Sequence, residues 1–255
     1  MFKDLILEIF YKLTKKYQKM LSNEIAKKFN YVVTDGPFKN LKLSKRLSWG
    51  KGIIGSKVLG QYEREIQELI VEIQKNNSIK TFLDLGAADG YFALGVLVNN
   101  IFDKSIAFET SLELRNSLKL NANDNNVLNR LEIFEEFNEN SFNEIFKKKP
   151  KKGDFLILCD IEGSEFRLFN EKTLKFLNNL NVIIEIHYTD FIDNKKIKQF
   201  KNIILKHFYI EIIKGKKQDL TNSSYLAKMN DIKRSLVLCE GRSFLGEWWH
   251  LIPKN

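Results

Sequence analysis

The chain has 255 residues, 44% of them hydrophobic and 29% charged, with three prolines and two cysteines. That is enough for one large domain with a full core, and it excludes a low-complexity chain, a disulfide scaffold and a zinc ribbon, since Cys159 and Cys239 lie in separate apolar runs with no C-x-x-C pair. The net charge of +9 is confined to residues 1–60, where thirteen lysines and arginines meet four acids; residues 61–255 carry twenty-eight of each.

Thirty-four of the 41 basic residues are lysine. Arginine is the better fork for phosphates and base edges, so this bias speaks against specific nucleic-acid reading. No stretch approaches the roughly 20 apolar residues of a membrane span. Asp4 and Glu8 interrupt what would be the apolar core of a signal peptide. A cytoplasmic location is expected.

In chain order, Phe2, Leu5, Ile6, Ile9, Phe10, Leu13, Tyr17 and Leu21 recur at helical spacing, with Lys3, Lys12, Lys15, Lys16 and Lys19 mostly between them. This predicts a basic amphipathic helix. It either packs on its own domain or lets residues 1–28 rest on an anionic membrane surface or a partner. Residues 31–60, with Gly36-Pro37 and Trp49-Gly50, read as an irregular connector, and Gln61 to Gln74 as a helix. We therefore expect a basic helical extension and connector over 1–75 and a catalytic domain over 76–255.

From residue 80, strands alternate with helices. Strands are expected at Thr81–Leu85, Ser105–Glu109, Leu131–Phe137, Asp154–Asp160, Val182–His187, Tyr209–Ile213 and Ser235–Cys239. Helices are expected at Tyr91–Asn99, Leu112–Asn123, Phe142–Lys149, Glu165–Leu180 and Ile192–Phe208. The fold class is α/β: a Rossmann-like, seven-stranded, mostly parallel sheet with helices on both faces, its last two strands an antiparallel pair.

The run Phe82-Leu83-Asp84-Leu85-Gly86-Ala87-Ala88-Asp89-Gly90-Tyr91-Phe92 carries a strand through a glycine turn into a helix. Such a turn lets a ligand approach the main chain, and the helix start offers free N–H groups. The dinucleotide fingerprint is not met, and no Gly-Lys-Ser/Thr follows to make a phosphate loop. An acidic turn with Asp89 suits a ligand bearing an ammonium and a sulfonium. Glu109 ends the next strand, where doubly wound sheets place the acid that takes an adenosine's ribose hydroxyls.

These residues resemble motif I of class I S-adenosylmethionine-dependent methyltransferases, and most of all the FkbM-like branch. Cys159-Asp160-Ile161-Glu162-Gly163-Ser164-Glu165 is similar to that branch's Asp-x-Glu-Gly-x-Glu motif, and Ile184-Glu185-Ile186-His187 to its Glu-x-His strand. Gly36-Pro37-Phe38, Leu59-Gly60-Gln61-Tyr62-Glu63 and Cys239-Glu240-Gly241-Arg242 also resemble members of the group. The resemblance implies S-adenosylmethionine as cofactor, held by Asp84, Gly86, Ala87, Asp89, Gly90, Tyr91, Phe92, Glu109 and Asp160.

Asp160 and Glu162 lie two apart at one strand end, and Glu185 and His187 repeat the arrangement. The strand order implied by the resemblance makes these strands neighbours. His187 is the expected general base, with Asp160, Glu162 and Glu185 beside it and Asp160 orienting the acceptor. Alternatively the four residues hold a divalent cation that clamps a sugar diol, or His187 is a hydrogen-bonded structural histidine and Glu162 and Gly163 only shape the turn, with Ser164 capping the next helix. Trp248 and Trp249 either stack on a sugar ring or close the core. The resemblance implies O-methylation of a hydroxyl on a glycan, sugar or related small molecule. An RNA methyltransferase and a non-catalytic module of the same fold are the alternatives. Against RNA, the Asn/Asp-Pro-Pro-Tyr motif is missing and no proline precedes either cysteine.

Overall fold

The computed structural model describes residues 2–45, 52–138, 141, 144–146, 148–188, 194–213, 223–240 and 246–254. Seven strands form one sheet: β1 (Thr81–Leu85), β2 (Lys104–Phe108), β3 (Leu131–Phe134), β4 (Phe155–Cys159), β5 (Asn181–Ile186), β6 (Phe208–Ile213) and β7 (Glu247–Pro253). The order is β3-β2-β1-β4-β5-β7-β6, with β1 to β5 parallel and β7 antiparallel between β5 and β6. Every residue of β5 is buried, as its run of apolar side chains requires of a strand covered on both faces.

Alternation along the strands sends side chains into two cores. Phe82, Ala107, Leu156, Leu158 and Ile183 face helices α3 (Arg64–Asn77), α4 (Tyr91–Val98) and α5 (Leu112–Asp124). Leu83, Leu85, Ile106, Ile157, Cys159, Val182 and Ile184 face α6 (Glu165–Leu168), α7 (Glu171–Leu177) and α8 (Asn194–Ile204). The stretch expected as one helix over 165–180 is two, because Asn170 breaks it and its side chain accepts from the Thr173 N–H to start α7.

The amino-terminal helix α1 spans Phe2–Lys28, and a short helix α2 (Ile54–Val58) interrupts the connector. Leu21, Ile25 and Ala26 of α1 pack with Ile54, Val58 and Leu59, and with Leu226 and Val237 from α9 (Ser224–Ala227) and α10 (Asp231–Leu238). Val33, Phe38 and Leu41 enter the same core as the sheet, so the connector is built into the domain.

One expected strand is corrected. Ser235–Leu238 is the end of helix α10, with Cys239 as its cap, and Asn230 starts it by accepting from the Lys233 N–H. The last strand is β7, where Trp249 is buried to 1% exposure against Phe200 and Trp248 to 7%. Both tryptophans therefore close the core. Trp49-Gly50, Gly241-Arg242, residues 192–193 and, of the helix expected over 142–149, residues 142, 143 and 147 lie outside the described residues.

Candidate active site

The turn after β1 is built by backbone geometry. Gly86 sits at φ +91°, and its N–H and that of Ala87 both donate to the Phe108 carbonyl at 2.9 Å, tying β1 to β2. Gly90 (φ 93°) begins α4 in the left-handed region that glycine adopts without strain. Ala88 also has positive φ (48°), and its N–H donates to Glu109 Oε2 at 2.9 Å. The other oxygen, Oε1, accepts from the Ser111 N–H at 2.8 Å.

A cavity of about 580 Å³ opens at the carboxyl ends of β1 to β4. It is lined by Gly86, Ala88, Glu109, Asp160 and Glu162 and by the apolar side chains of Phe108, Leu114 and Phe137. The volume is in the range of small-ligand sites. Of the expected cofactor residues, Gly86, Glu109 and Asp160 line it.

Asp84, Ala87, Asp89, Gly90, Tyr91 and Phe92 do not line it. Tyr91 and Phe92 turn toward the connector, each stacking edge-on with Phe38, and Gln67 Nε2 donates to the Tyr91 hydroxyl at 3.1 Å. Asp89 is 3% exposed and its Oδ1 pairs with Lys57 Nζ at 3.5 Å, beneath the rings of Tyr62 and Tyr91. The acid expected to meet a ligand ammonium thus meets a lysine of α2. Sequence reasoning missed Lys57 because a lone lysine in an irregular connector carries no pattern.

Removing one partner of a buried pair strands the other charge. Lys57→Met should lower the unfolding free energy by about 3–5 kcal/mol, and adding Asp89→Asn should restore part of it, as denaturant titration of both variants will show.

Asp84 lies in β1 at 2% exposure. Burial pushes its carboxyl up to about 8, the charge of Asp160 adding, the Ala93 N–H opposing and the charge of Glu109 adding again. The folded state thus holds this proton where the unfolded chain has lost it. Stability from this group is fullest below about pH 4 and falls until about pH 8. Asp84→Asn should leave the melting temperature nearly unchanged at pH 4 and raise it at pH 8.

The second strand-end cluster gathers around His187. Its Nε2 lies 3.3 Å from Asp160, 3.4 Å from Glu185 and 3.5 Å from Glu162, and its Nδ1 lies 3.3 Å from Glu165. The four catalytic residues expected from sequence therefore meet. Glu165, fully buried, was not among them; it also accepts from the His187 N–H at 2.9 Å and the Gly163 N–H at 2.8 Å. Its signal was its place in the Asp160–Glu165 motif. Ser164 makes no side-chain cap on α6; Glu165 takes up the turn's N–H instead.

Burial alone would depress the His187 pKa. Hydrogen bonds to Asp160 and Glu165, and the charges of both, overcome it and push the imidazole up to about 10. It is therefore protonated at neutral pH and has no lone pair for a substrate proton. These contacts favour the charged ring and so weigh against the expectation of His187 as general base. One ligand atom each from Asp160, Glu185 and His187 lies within 4.8 Å of the others, so the cluster can be neutralised by this proton or by a divalent cation in its place.

Asp160 joins the two halves of the site. It lines the cavity, contacts His187, and its N–H donates to the Leu85 carbonyl at 2.9 Å. Among the described residues no helix is long and apolar enough to cross a membrane.

No family model matches the sequence, and no curated protein does. Solved structures do resemble the fold. The O-methyltransferase TomG from Streptomyces achromogenes, in complex with S-adenosylmethionine, aligns at a TM-score of 0.50 with 10% identity, over 74% of this chain and 80% of that one. An O-methyltransferase from Bacillus cereus in complex with S-adenosylhomocysteine aligns at 0.48 with 13% identity, over 72% and 79%. With its strand order and its helices on both faces, the chain has the class I methyltransferase fold.

Proposed function

We propose that the protein is an S-adenosylmethionine-dependent methyltransferase that methylates a hydroxyl of a glycan, sugar or related small molecule, in the manner of the FkbM-like group its motifs resemble. The observation that carries this reading is the cavity at the strand carboxyl ends, lined both by Glu109 and by Asp160, which contacts His187.

The residues present fit the cofactor. A carboxylate has about four lone-pair sites, and the described contacts of Glu109 occupy two with backbone N–H groups, leaving room for two ribose hydroxyls. Gly86 and Ala88 let a nucleoside approach the backbone, and Phe108, Leu114 and Phe137 offer an apolar wall to its base. When bound, S-adenosylmethionine supplies an electrophilic methyl on a sulfonium sulfur.

Asp160 stands where the acceptor must come. Its carboxylate accepts the hydrogen of the incoming hydroxyl and turns an oxygen lone pair toward the methyl, and this positioning supplies much of the rate. As its oxygen is methylated, the incoming hydroxyl would become strongly acidic. The proton then falls to Asp160 or Glu162, and no stronger base is needed. His187 works as a fixed cation. It offsets the charges of Asp160, Glu162 and Glu185 and orients the first of them, while Glu165 and the backbone lock the ring.

The test is transfer of a labelled methyl from S-adenosylmethionine to a panel of sugars, glycans and RNA, with product S-adenosylhomocysteine measured in parallel. Label on a sugar hydroxyl is expected. Label on RNA alone would favour the RNA reading, and cofactor binding without turnover on any acceptor would favour a non-catalytic module. The close ligand atoms of Asp160, Glu185 and His187 favour a second, metal-assisted version. It requires activity to fall with chelator and return with magnesium.

A further inference from the structure

We propose that the exposed part of α1 is a docking surface for an anionic lipid bilayer. This goes beyond the methyl-transfer reading and does not depend on it. Among the described residues, the helix buries side chains against the domain from Gln18 onward, at Gln18, Leu21, Ser22, Ile25 and Ala26. The exposed segment from Ile6 to Tyr17, with Lys15 half-buried, overhangs the packed part by about 18 Å at the helical rise of 1.5 Å per residue.

That overhang carries large apolar side chains in the open. Phe10 is 62% exposed, Leu13 57%, Met20 52% and Ile9 50%, with Ile6 and Tyr17 on the same side. At about 100° per residue, this stripe is centred roughly 140° around the axis from the face that packs on the domain. It is therefore no continuation of the packed face. Leu7, 57% exposed, and Tyr11, 59%, lie on the azimuth of the packed face, so the overhang also shows apolar groups on that side.

The charges choose the occupant. Lys16, Lys12 and Lys19 follow in turn around one flank of the stripe, and the only acids before Lys19 are Asp4 and Glu8. Glu8 is tied to Lys12 at 2.7 Å, a pair that also supports the overhanging helix. An apolar stripe edged by lysines suits the boundary between acyl chains and acidic headgroups, with the lysine stems lying along the apolar zone and the ammonium groups at the phosphates. A second copy of the helix would bring two lysine rows together. A nucleic acid would use the lysines and leave Ile9, Phe10, Leu13 and Met20 in water.

The experiment is co-sedimentation of the full chain with vesicles of phosphatidylcholine alone and of phosphatidylcholine mixed with phosphatidylglycerol. The wild type should bind the anionic vesicles roughly tenfold or more tightly than the neutral ones, with binding weakened by salt. Phe10→Asp with Leu13→Asp, and separately Lys12→Glu with Lys16→Glu, should each lose at least that factor while melting as the wild type does, since these positions lie on the overhang. Failure of the folded wild type to bind anionic vesicles would overturn the proposal. So would unchanged binding by the Phe10→Asp, Leu13→Asp variant, or sedimentation velocity showing a dimer that this variant dissociates.

Discussion

Gly86→Ala should lower the melting temperature by about 10 °C and abolish cofactor binding by whatever protein remains folded. A methyl group at this position would stand 1.8 Å from the Asp160 carbonyl oxygen and 2.8 Å from its carbon. Neither atom belongs to a flexible side-chain end, so the backbone of β1 or of the turn after β4 must move. The residue also sits at φ +91°, where a Cβ costs about 1–2 kcal/mol before any contact is counted. Both turns border the cavity, so the same displacement that destabilises the fold misplaces Gly86, Ala88 and Asp160 together. Thermal melting and a ligand titration on the same preparation check both halves.

His187→Gln should reduce kcat roughly tenfold to a hundredfold, with a smaller effect on KM, because it removes the cation that orients Asp160 without touching the nucleoside end of the cavity. The pH profile discriminates more sharply. A general base of ordinary histidine pKa would make the rate rise through about pH 6.5. With its pKa near 10, His187 contributes no such rise, and activity should instead fall as pH approaches 10 and the ring loses its proton. Stability follows with the same sign. Its contribution is complete below about pH 6.5, where folded and unfolded rings are both charged, and is lost as pH rises through 10. His187→Gln should therefore cost more stability at pH 6 than at pH 10. A wild-type rate that climbs through pH 6.5, with the climb absent from the variant, would return His187 to the role of base.

Much of the frame was legible because its strands are short, apolar and followed by turns. Thr81–Leu85 is read at its observed bounds, and β2, β4, β5 and β6 to within a residue or two. Ser235–Leu238 misled because four residues of an apolar run look alike as helix or strand; the Asn230 cap decides for helix. β7 was passed over because its two tryptophans invite a ligand reading. Within the site, spacing by two along neighbouring strands was enough to bring Asp160, Glu162, Glu185 and His187 together. It could not give the protonation of His187, which arises from Glu165 and Asp160 acting from different elements. Nor could the loop sequence say which residues face outward. Asp89, Tyr91 and Phe92 turn onto Lys57, Gln67 and Phe38, partners 24 to 54 positions away in the chain that only the fold brings near.

Calorimetric titration of S-adenosylhomocysteine into the wild type and into Glu109→Gln tests the cavity as a cofactor site most directly. A charge-assisted hydrogen bond is worth about 1.5–3 kcal/mol, so the wild type should bind and the variant should bind roughly 10- to 150-fold more weakly, with an unchanged circular dichroism spectrum. No binding by well-folded wild type, or equal binding by the two proteins, would contradict it.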